Sequence, residues 1–284
     1  MSVALAPITD ADLPAVGAFL HRHLNPRVAP DAWARALRVP WRADAPDHGY
    51  LLRDGDDVVG AYLAFYSERE IAGRRERFCN LGAWCVLPEH RFRGLRLLKA
   101  LISRPDVHYT DLSPSGSVVA LNSRLGFSHL DTTTTLVPNL PWPPLPGDAR
   151  VVADRRRIEE VLTGPELDLY RDHAGTAAAR HVVLVQGGRT CYVVHRRVRR
   201  KDLPLFAAIL HVSDPLLLAR SWRPLARHLL VRHGVPLTLA ERRIAGPAPT
   251  WAIGPVRARP KMVRSALPAH RIDDLYSELT CVPW

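Results

Sequence analysis

The sequence predicts an α/β (α+β) protein made of two consecutive domains of one plan, and three observations carry that expectation. Along the 284 residues, apolar positions alternate between helical periodicity and short β-rich runs. The stretch PNLPWPPLPGD at 138–148 holds five prolines in eleven residues, the composition of a semi-rigid linker. The element order before it, β-α-α-β-β-β-α-β-α-β, is echoed after it as helix-helix-hairpin-strand-helix-strand, although the two halves share no sequence identity. The expected division is therefore 1–137, a linker at 138–150, and 151–284.

The elements follow from local signals. Val3–Ile8 is a short apolar strand. Thr9–His23 carries Leu13, Val16, Phe19 and Leu20 on one stripe, with Thr9 or Asp10 as N-cap, which predicts an amphipathic helix. A second helix starts at Pro30–Asp31 and runs to Leu37. Tyr50–Leu52 and Val58–Tyr66 flank Asp54-Gly55-Asp56-Asp57, a hairpin signal. A turn around Gly73 leads into Phe78–Leu87, whose continuous hydrophobicity predicts a central strand buried on both faces. Pro88 ends it. Helices are expected at Arg93–Ile102 and Ser117–Leu125, and strands at Val107–Leu112 and the threonine-rich Phe127–Leu136. Beyond the linker, helices at Asp154–Leu162 and Glu166–His173 precede a Gly187–Gly188 hairpin, a strand at Leu205–Val212, a helix from Asp214 to His233 that Pro224 should kink or split, and a strand at Val235–Arg242. A capping helix is expected from Arg271 to Leu279.

Composition narrows the class. A hydrophobic fraction of 47% and a charged fraction of 24% are those of a soluble globular chain, and no apolar run approaches a bilayer span. The start, MSVALAPITDADLP, has neither the basic nor the apolar region of a secretory leader, so a cytoplasmic protein is expected. Cys79, Cys85, Cys191 and Cys281 form no CxxC pair and have no metal-ligand spacing with histidine. They read as reduced, buried residues, with no metal site. The net charge is +11, yet 36 of the 39 basic residues are arginines, because only Lys99, Lys201 and Lys261 are lysines. Abundant Ala, Arg and Pro with little Lys is the bias of a GC-rich, bacterial genome. The arginines are dispersed apart from Arg196, Arg197, Arg199, Arg200 and Lys201, which read as a solvated hairpin loop. The charge favours anionic ligands in general and not nucleic acid in particular.

One stretch carries chemistry: Cys85-Val-Leu-Pro-Glu-His-Arg91-Phe-Arg93-Gly94-Leu-Arg96. A buried strand runs through a short turn into a helix whose first amides lack intrahelical partners, and those donors with the helix dipole suit a pyrophosphate. Gly94 allows close approach of an anion, and Arg91, Arg93 and Arg96 add charge that can pair with phosphate. An ordinary helix start with a solvated basic face has the same residues. About thirty residues on comes Leu121-Asn-Ser-Arg-Leu125-Gly126-Phe127, a short helix ended by glycine before a strand.

Together these two stretches resemble the GNAT acyltransferases. The R/Q-x-x-G-x-G/A loop of that superfamily is matched at Arg91 to Arg96, and its late K-x-G-F element at Arg124 to Phe127, over about residues 3–136. The resemblance implies two tandem GNAT-like domains, the second degenerate, each a mixed and mostly antiparallel sheet flanked by helices. It implies that acetyl-CoA or another acyl-CoA binds with its pantetheine arm along Cys85, Val86 and Leu87. The diphosphate would lie on Arg91, Phe92, Arg93, Gly94, Leu95 and Arg96, and an amine of a small molecule or sugar would attack the thioester. Phe92 and Arg96 depart from the family's small residues. The family's tyrosine acid falls at Asn122, and a glutamate that some relatives keep falls at Asn80. Asp111, Glu68 and Glu70 have the chemistry to replace that base. The candidate catalytic residues are thus Asn80, Asp111 and Asn122. His90 and His108 flank the cleft, Trp33, Trp41 and Trp84 read as core or wall, and a monomer or homodimer is expected. Two other functions stay open: a CoA-binding scaffold without turnover, and a tandem-domain transferase taking an aminoacyl group from tRNA.

Overall fold

Leu13, Val16, Phe19 and Leu20 do form one buried stripe, and the helix they define is entered through a tight cap. In the computed structural model, which describes residues 3–41, 45–200 and 203–284 (the Arg200 side chain excepted), the Asp12 carboxylate accepts both the Thr9 N–H at 2.8 Å and the Thr9 hydroxyl at 2.6 Å. The first unit contains β1 (Ala4–Pro7), α1 (Leu13–His23), α2 (Pro30–Leu37), β2 (Gly49–Asp54), β3 (Asp57–Ile71), β4 (Arg74–Val86), α3 (Gly94–Leu101), β5 (His108–Asp111), α4 (Gly116–Arg124) and β6 (Ser128–His129). The chain then supplies β7 (Thr134–Pro138), β8 (Arg150–Val152), α5 (Arg155–Val161), α6 (Gly164–His173), β9 (Ala179–Gln186), β10 (Arg189–Arg200), β11 (Leu203–Val212), α7 (Pro215–Arg220), α8 (Trp222–His233), β12 (Leu237–Glu241), α9 (Arg242–Ala245), β13 (Ile253–Val256), β14 (Met262–Arg264) and α10 (Glu278–Cys281).

Among the described residues there are two seven-stranded sheets, ordered β1-β2-β3-β4-β5-β14-β6 and β13-β7-β12-β11-β10-β9-β8. Both follow one scheme. Five strands run in chain order, antiparallel except for a parallel fourth and fifth, β4 with β5 and β11 with β12. Each fifth strand would leave an open edge, and an antiparallel strand from elsewhere in the chain covers it: β14 on β5, β7 on β12.

That edge strand changes the expected domain boundary. One unit comprises the chain up to Leu130 with 260–272 and 276–284; the other comprises 131–259 with 273–275. The chain therefore does not divide at the proline-rich stretch, because β7 lies before it yet belongs to the second sheet. The expected strand Phe127–Leu136 is broken for a local reason. Asp131 accepts the Thr133 N–H at 2.9 Å, an Asx turn that stops β6 before the threonines enter β7.

Other differences have equally local causes. The Asp214–His233 helix splits at Ser221, three residues ahead of Pro224, which then sits in the first turn of α8 where no N–H partner is needed. The expected Arg271–Leu279 helix does not form. Asp274 is held by Arg243 at 3.0 Å, Tyr276 has φ +54°, and only Glu278–Cys281 winds, capped by Ser277. In the basic cluster, Lys201 lies outside the described residues, while Arg196–Arg199 belong to β10 and not to a loop. One core gathers Leu52, Tyr62, Leu81, Leu97, Leu98, Tyr109 and Met262; the core of the second unit centres on Val182, Leu184, Val193, Ile209, Trp222 and Leu225.

Candidate active site

The backbone opens a gap in the first unit. Phe78–Leu81 of β4 pair in parallel with His108–Asp111 of β5, but from Gly82 to Val86 β4 pairs only with β3 among the described residues. Strand edges without a partner leave N–H and C=O groups available. In the same place β4 carries one extra residue: Leu63 faces Gly82 and Ala61 faces Cys85, and Ala83 takes φ +53°. Such a bulge bends the strand and re-aims its side chains. Trp84, just after it, stacks on Tyr62 with centroids 4.6 Å apart and planes 7° from parallel.

At the point where the two strands part, seven polar side chains converge. Asp111, the last paired residue of β5, is 4% exposed. Its carboxylate accepts the Asn122 amide at 2.9 Å and the Ser113 N–H at 3.4 Å, and the Tyr62 hydroxyl stands close to it. Burial pushes its carboxyl up to about 6, and these hydrogen bonds only partly offset that. Tyr62, fully enclosed and facing Asp111 and Glu278, is held far above its usual range and stays a neutral donor. Glu278, fully buried, accepts the Ser113 hydroxyl at 2.9 Å and stands against Gly82, where an added Cβ would lie 2.9 Å from the Glu278 Cβ. The Glu278 N–H donates to Asn80 at 2.9 Å, and the Asn80 amide reaches the Thr110 hydroxyl at 3.1 Å.

Of the candidate catalytic residues, Asp111 and Asn122 are therefore in direct contact, while Asn80 uses both ends of its amide to tie β4 to β5 and to the start of α10. Tyr62, Ser113 and Glu278 were not singled out from the sequence. Tyr62 sits in an apolar run that reads as core, and Glu278 lies 198 positions from Asn80 with no local pattern linking them. A carboxyl with a raised pKa, held in a polar cluster at a gap, can accept a proton near neutrality.

The residues assigned to the cofactor occupy the far side of the gap. Cys85, Val86 and Leu87 are half-buried at the end of β4, with Leu87 N–H bonded to Val59 at 3.0 Å. Burial raises the Cys85 thiol, and the Arg91 guanidinium nearby lowers it. The turn after them winds as a 3₁₀ helix over Pro88–Arg93, in which the His90 N–H bonds Leu87 at 2.9 Å and the Gly94 N–H bonds Arg91. A 3₁₀ turn uses its amides internally, so the donors at Gly94 are occupied there. Phe92 projects outward at 74% exposure, and Arg93 lies over its ring at 4.8 Å with a buried Nε that has no hydrogen-bond partner among the described residues. Leu95 is exposed, and Arg96 reaches back to the Val3 carbonyl at 3.4 Å. A Cβ on Gly94 would meet Trp84 at 3.4 Å and Val86 at 3.5 Å, ordinary contacts. The open edge of β4 fits an extended amide-bearing arm. At the diphosphate end, the guanidinium groups of Arg91 and Arg93 fit an anion better than the turn's amides do.

The remaining candidates lie elsewhere. His108 bridges Glu76 at 3.1 Å and Ser265 at 2.8 Å at the opposite end of β5, and Glu68 pairs with Arg75 at 3.4 Å. Glu70 is exposed, and His90 is half-buried in the 3₁₀ turn. Trp33 and Trp41 are core residues against Trp284 and Tyr276. All four cysteines are free, and among the described residues no three His, Cys, Asp or Glu side chains are grouped to hold a metal ion. No helix among them is long and apolar enough to cross a membrane.

No family model matches the chain, and no curated protein matches it by sequence. Solved structures do match. A GCN5-related N-acetyltransferase from Anabaena variabilis superposes with a TM-score of 0.60 at 12% identity, over 93% of this chain and 72% of that one. An Enterococcus faecalis protein described as a probable N-acyltransferase gives 0.59 at 14% identity, over 93% and 73%. Saccharomyces cerevisiae N-myristoyltransferase, solved with myristoyl-CoA, gives 0.50 at 10% identity, over 84% and 73%. The chain has the fold of the GNAT superfamily.

Proposed function

We propose that the first unit moves an acyl group from acyl-CoA to the amine of a small molecule, with Asp111 as the proton acceptor. One observation carries this reading: a buried carboxyl with its pKa raised to about 6 stands where β4 separates from β5, beside a strand edge open to an extended ligand. The bound acyl-CoA supplies an activated carbonyl and a thiol leaving group. The chain's residues then have distinct tasks. The N–H and C=O groups on the β5-facing edge of Gly82–Val86 align the amide-bearing arm, and Arg91 and Arg93 neutralise its phosphates. Asp111 takes the proton released from the amine nitrogen as the C–N bond forms and the C–S bond breaks. Asn122, hydrogen-bonded to that carboxyl, and the neighbouring Tyr62 orient it, and the stacked Tyr62–Trp84 pair keeps water from one wall.

Calorimetric titration of the full chain with acetyl-CoA tests the binding half. Saturable binding that weakens at least tenfold in Arg91→Ala supports the reading; absence of any heat or thermal stabilisation overturns it. The closure of the turn by Gly94 on Arg91, and the engagement of Asn122 by Asp111, favour a second reading as a CoA-binding scaffold. That reading predicts the same titration with no thiol released.

A further inference from the structure

The second unit holds a cavity of about 690 Å³ between β8, the start of α5 and one face of α8. Its volume is within the range of small-molecule sites, roughly 300–1,000 Å³. Its wall carries Arg150, Arg157, Arg223, Arg227 and Arg232, and none of the five forms an ion pair among the described residues. Two carboxylates also line it, but both serve the backbone: Asp148 accepts the Leu145 N–H at 2.8 Å, and Asp154 caps α5 through the Arg157 N–H at 3.2 Å.

Three arginines on other helices show the opposite arrangement. Arg35 pairs with Asp31, Arg155 with Glu159 and Arg171 with Asp168, each three or four residues away on the same helix. On α8 the corresponding spacing brings two like charges together, Arg223 and Arg227. Such pairs weaken a helix by about as much as opposite pairs support it. Arg223 also lies in the first turn, where the helix dipole disfavours a cation. The side chain of Arg223 is positioned over the Trp142 ring at 4.9 Å. Five arginines that line one concave space without an ion pair among the described residues, two of them set against helix energetics, form an arrangement that a multiply charged anion would neutralise.

We propose that this cavity binds a small phosphorylated molecule carrying at least two phosphates, of the size of a nucleoside diphosphate, at a site separate from the gap between β4 and β5. The cavity lies wholly in residues 142–233, so the inference does not rest on acyl transfer by the first unit.

Titrations of the full chain with inorganic pyrophosphate, ADP and adenosine test it. Pyrophosphate and ADP should bind saturably and adenosine should not. Arg223→Ala and Arg227→Ala should each lower ADP affinity about tenfold or more, as expected for charge-assisted hydrogen bonds. Arg227→Glu provides a readout that a purely structural role would not give: it replaces a like-charge pair by an attractive one, so the melting temperature holds or rises while affinity falls at least a hundredfold. Because the first unit offers Arg91 to the diphosphate of acyl-CoA, the titrations are repeated in Arg91→Ala, where the pyrophosphate binding that depends on Arg223 and Arg227 should persist. The proposal is overturned if pyrophosphate does not bind, if adenosine binds as tightly as ADP, or if Arg91→Ala abolishes binding while the α8 variants do not. It is likewise overturned if a single-stranded RNA binds through these arginines while ADP fails to compete.

Discussion

Replacing Asp111 by asparagine removes the one carboxyl that burial most clearly disfavours, and the consequence for stability has a definite pH signature. The folded protein holds this proton with a pKa of about 6, against 3.8 for the ordinary side chain. Between those values the native state binds more protons than the unfolded state, so stability falls as pH rises through the window and levels off above it. A difference of that size between the folded and unfolded chains corresponds to roughly 3 kcal/mol. Asparagine has nearly the same shape and no charge, so Asp111→Asn should lose this pH dependence. Its Oδ1 can still accept from Asn122, but its amide meets the Ser113 N–H poorly, a pH-independent cost of about 1 kcal/mol. The variant should therefore be about 1 kcal/mol less stable than the parent near pH 4 and about 2 kcal/mol more stable near pH 8. Urea unfolding of both proteins from pH 4 to 8.5 measures the difference. Parallel stability curves would refute the reasoning, because they would mean that the Asp111 carboxyl titrates alike in the folded and unfolded chains.

Three further outcomes can be checked by the same methods. Gly82→Ala places a methyl group 2.9 Å from the Glu278 Cβ and 3.1 Å from its Cγ, so it should destabilise by about 1–3 kcal/mol in urea. Arg243→Ala strands the carboxylates of Glu241 and Asp274, bonded to it at 2.6 and 3.0 Å and nearly buried, and should cost about 3–5 kcal/mol. Gly94→Ala meets only ordinary contacts with Trp84 and Val86 and has helical dihedrals, so its stability in urea should stay within about 1 kcal/mol of the parent.

Local signals located most of the helices and the strand–turn–helix around Cys85–Arg96, because capping residues, proline, glycine and apolar period act over a few positions. The GNAT resemblance pointed to Asn122, and Asp111 has the chemistry of a base at the end of its strand; the fold brings the two to 2.9 Å. What escaped was non-local. The bulge at Ala83 lies in a nearly all-apolar run, where only Gly82 beside it hints at an extra position. Tyr62 reads as core from its neighbours, and its hydroxyl acquires a role only because β5 ends beside it. Glu278 reaches the cluster from the last ten residues of the chain, and β14 is a three-residue strand defined by the edge it covers. The Asx turn at Asp131, by contrast, is a local signal, and there the β propensity of four successive threonines masked it.

The most direct test of acyl transfer at the β4–β5 gap is thiol release from acetyl-CoA, followed across a panel of amines for the parent and Asp111→Asn side by side. Amine-dependent release is expected, with kcat/KM climbing with pH through an ionisation near 6 and falling about 10²–10⁴-fold in the variant. Release no faster than in buffer with every amine, or a variant as active as its parent, would contradict it.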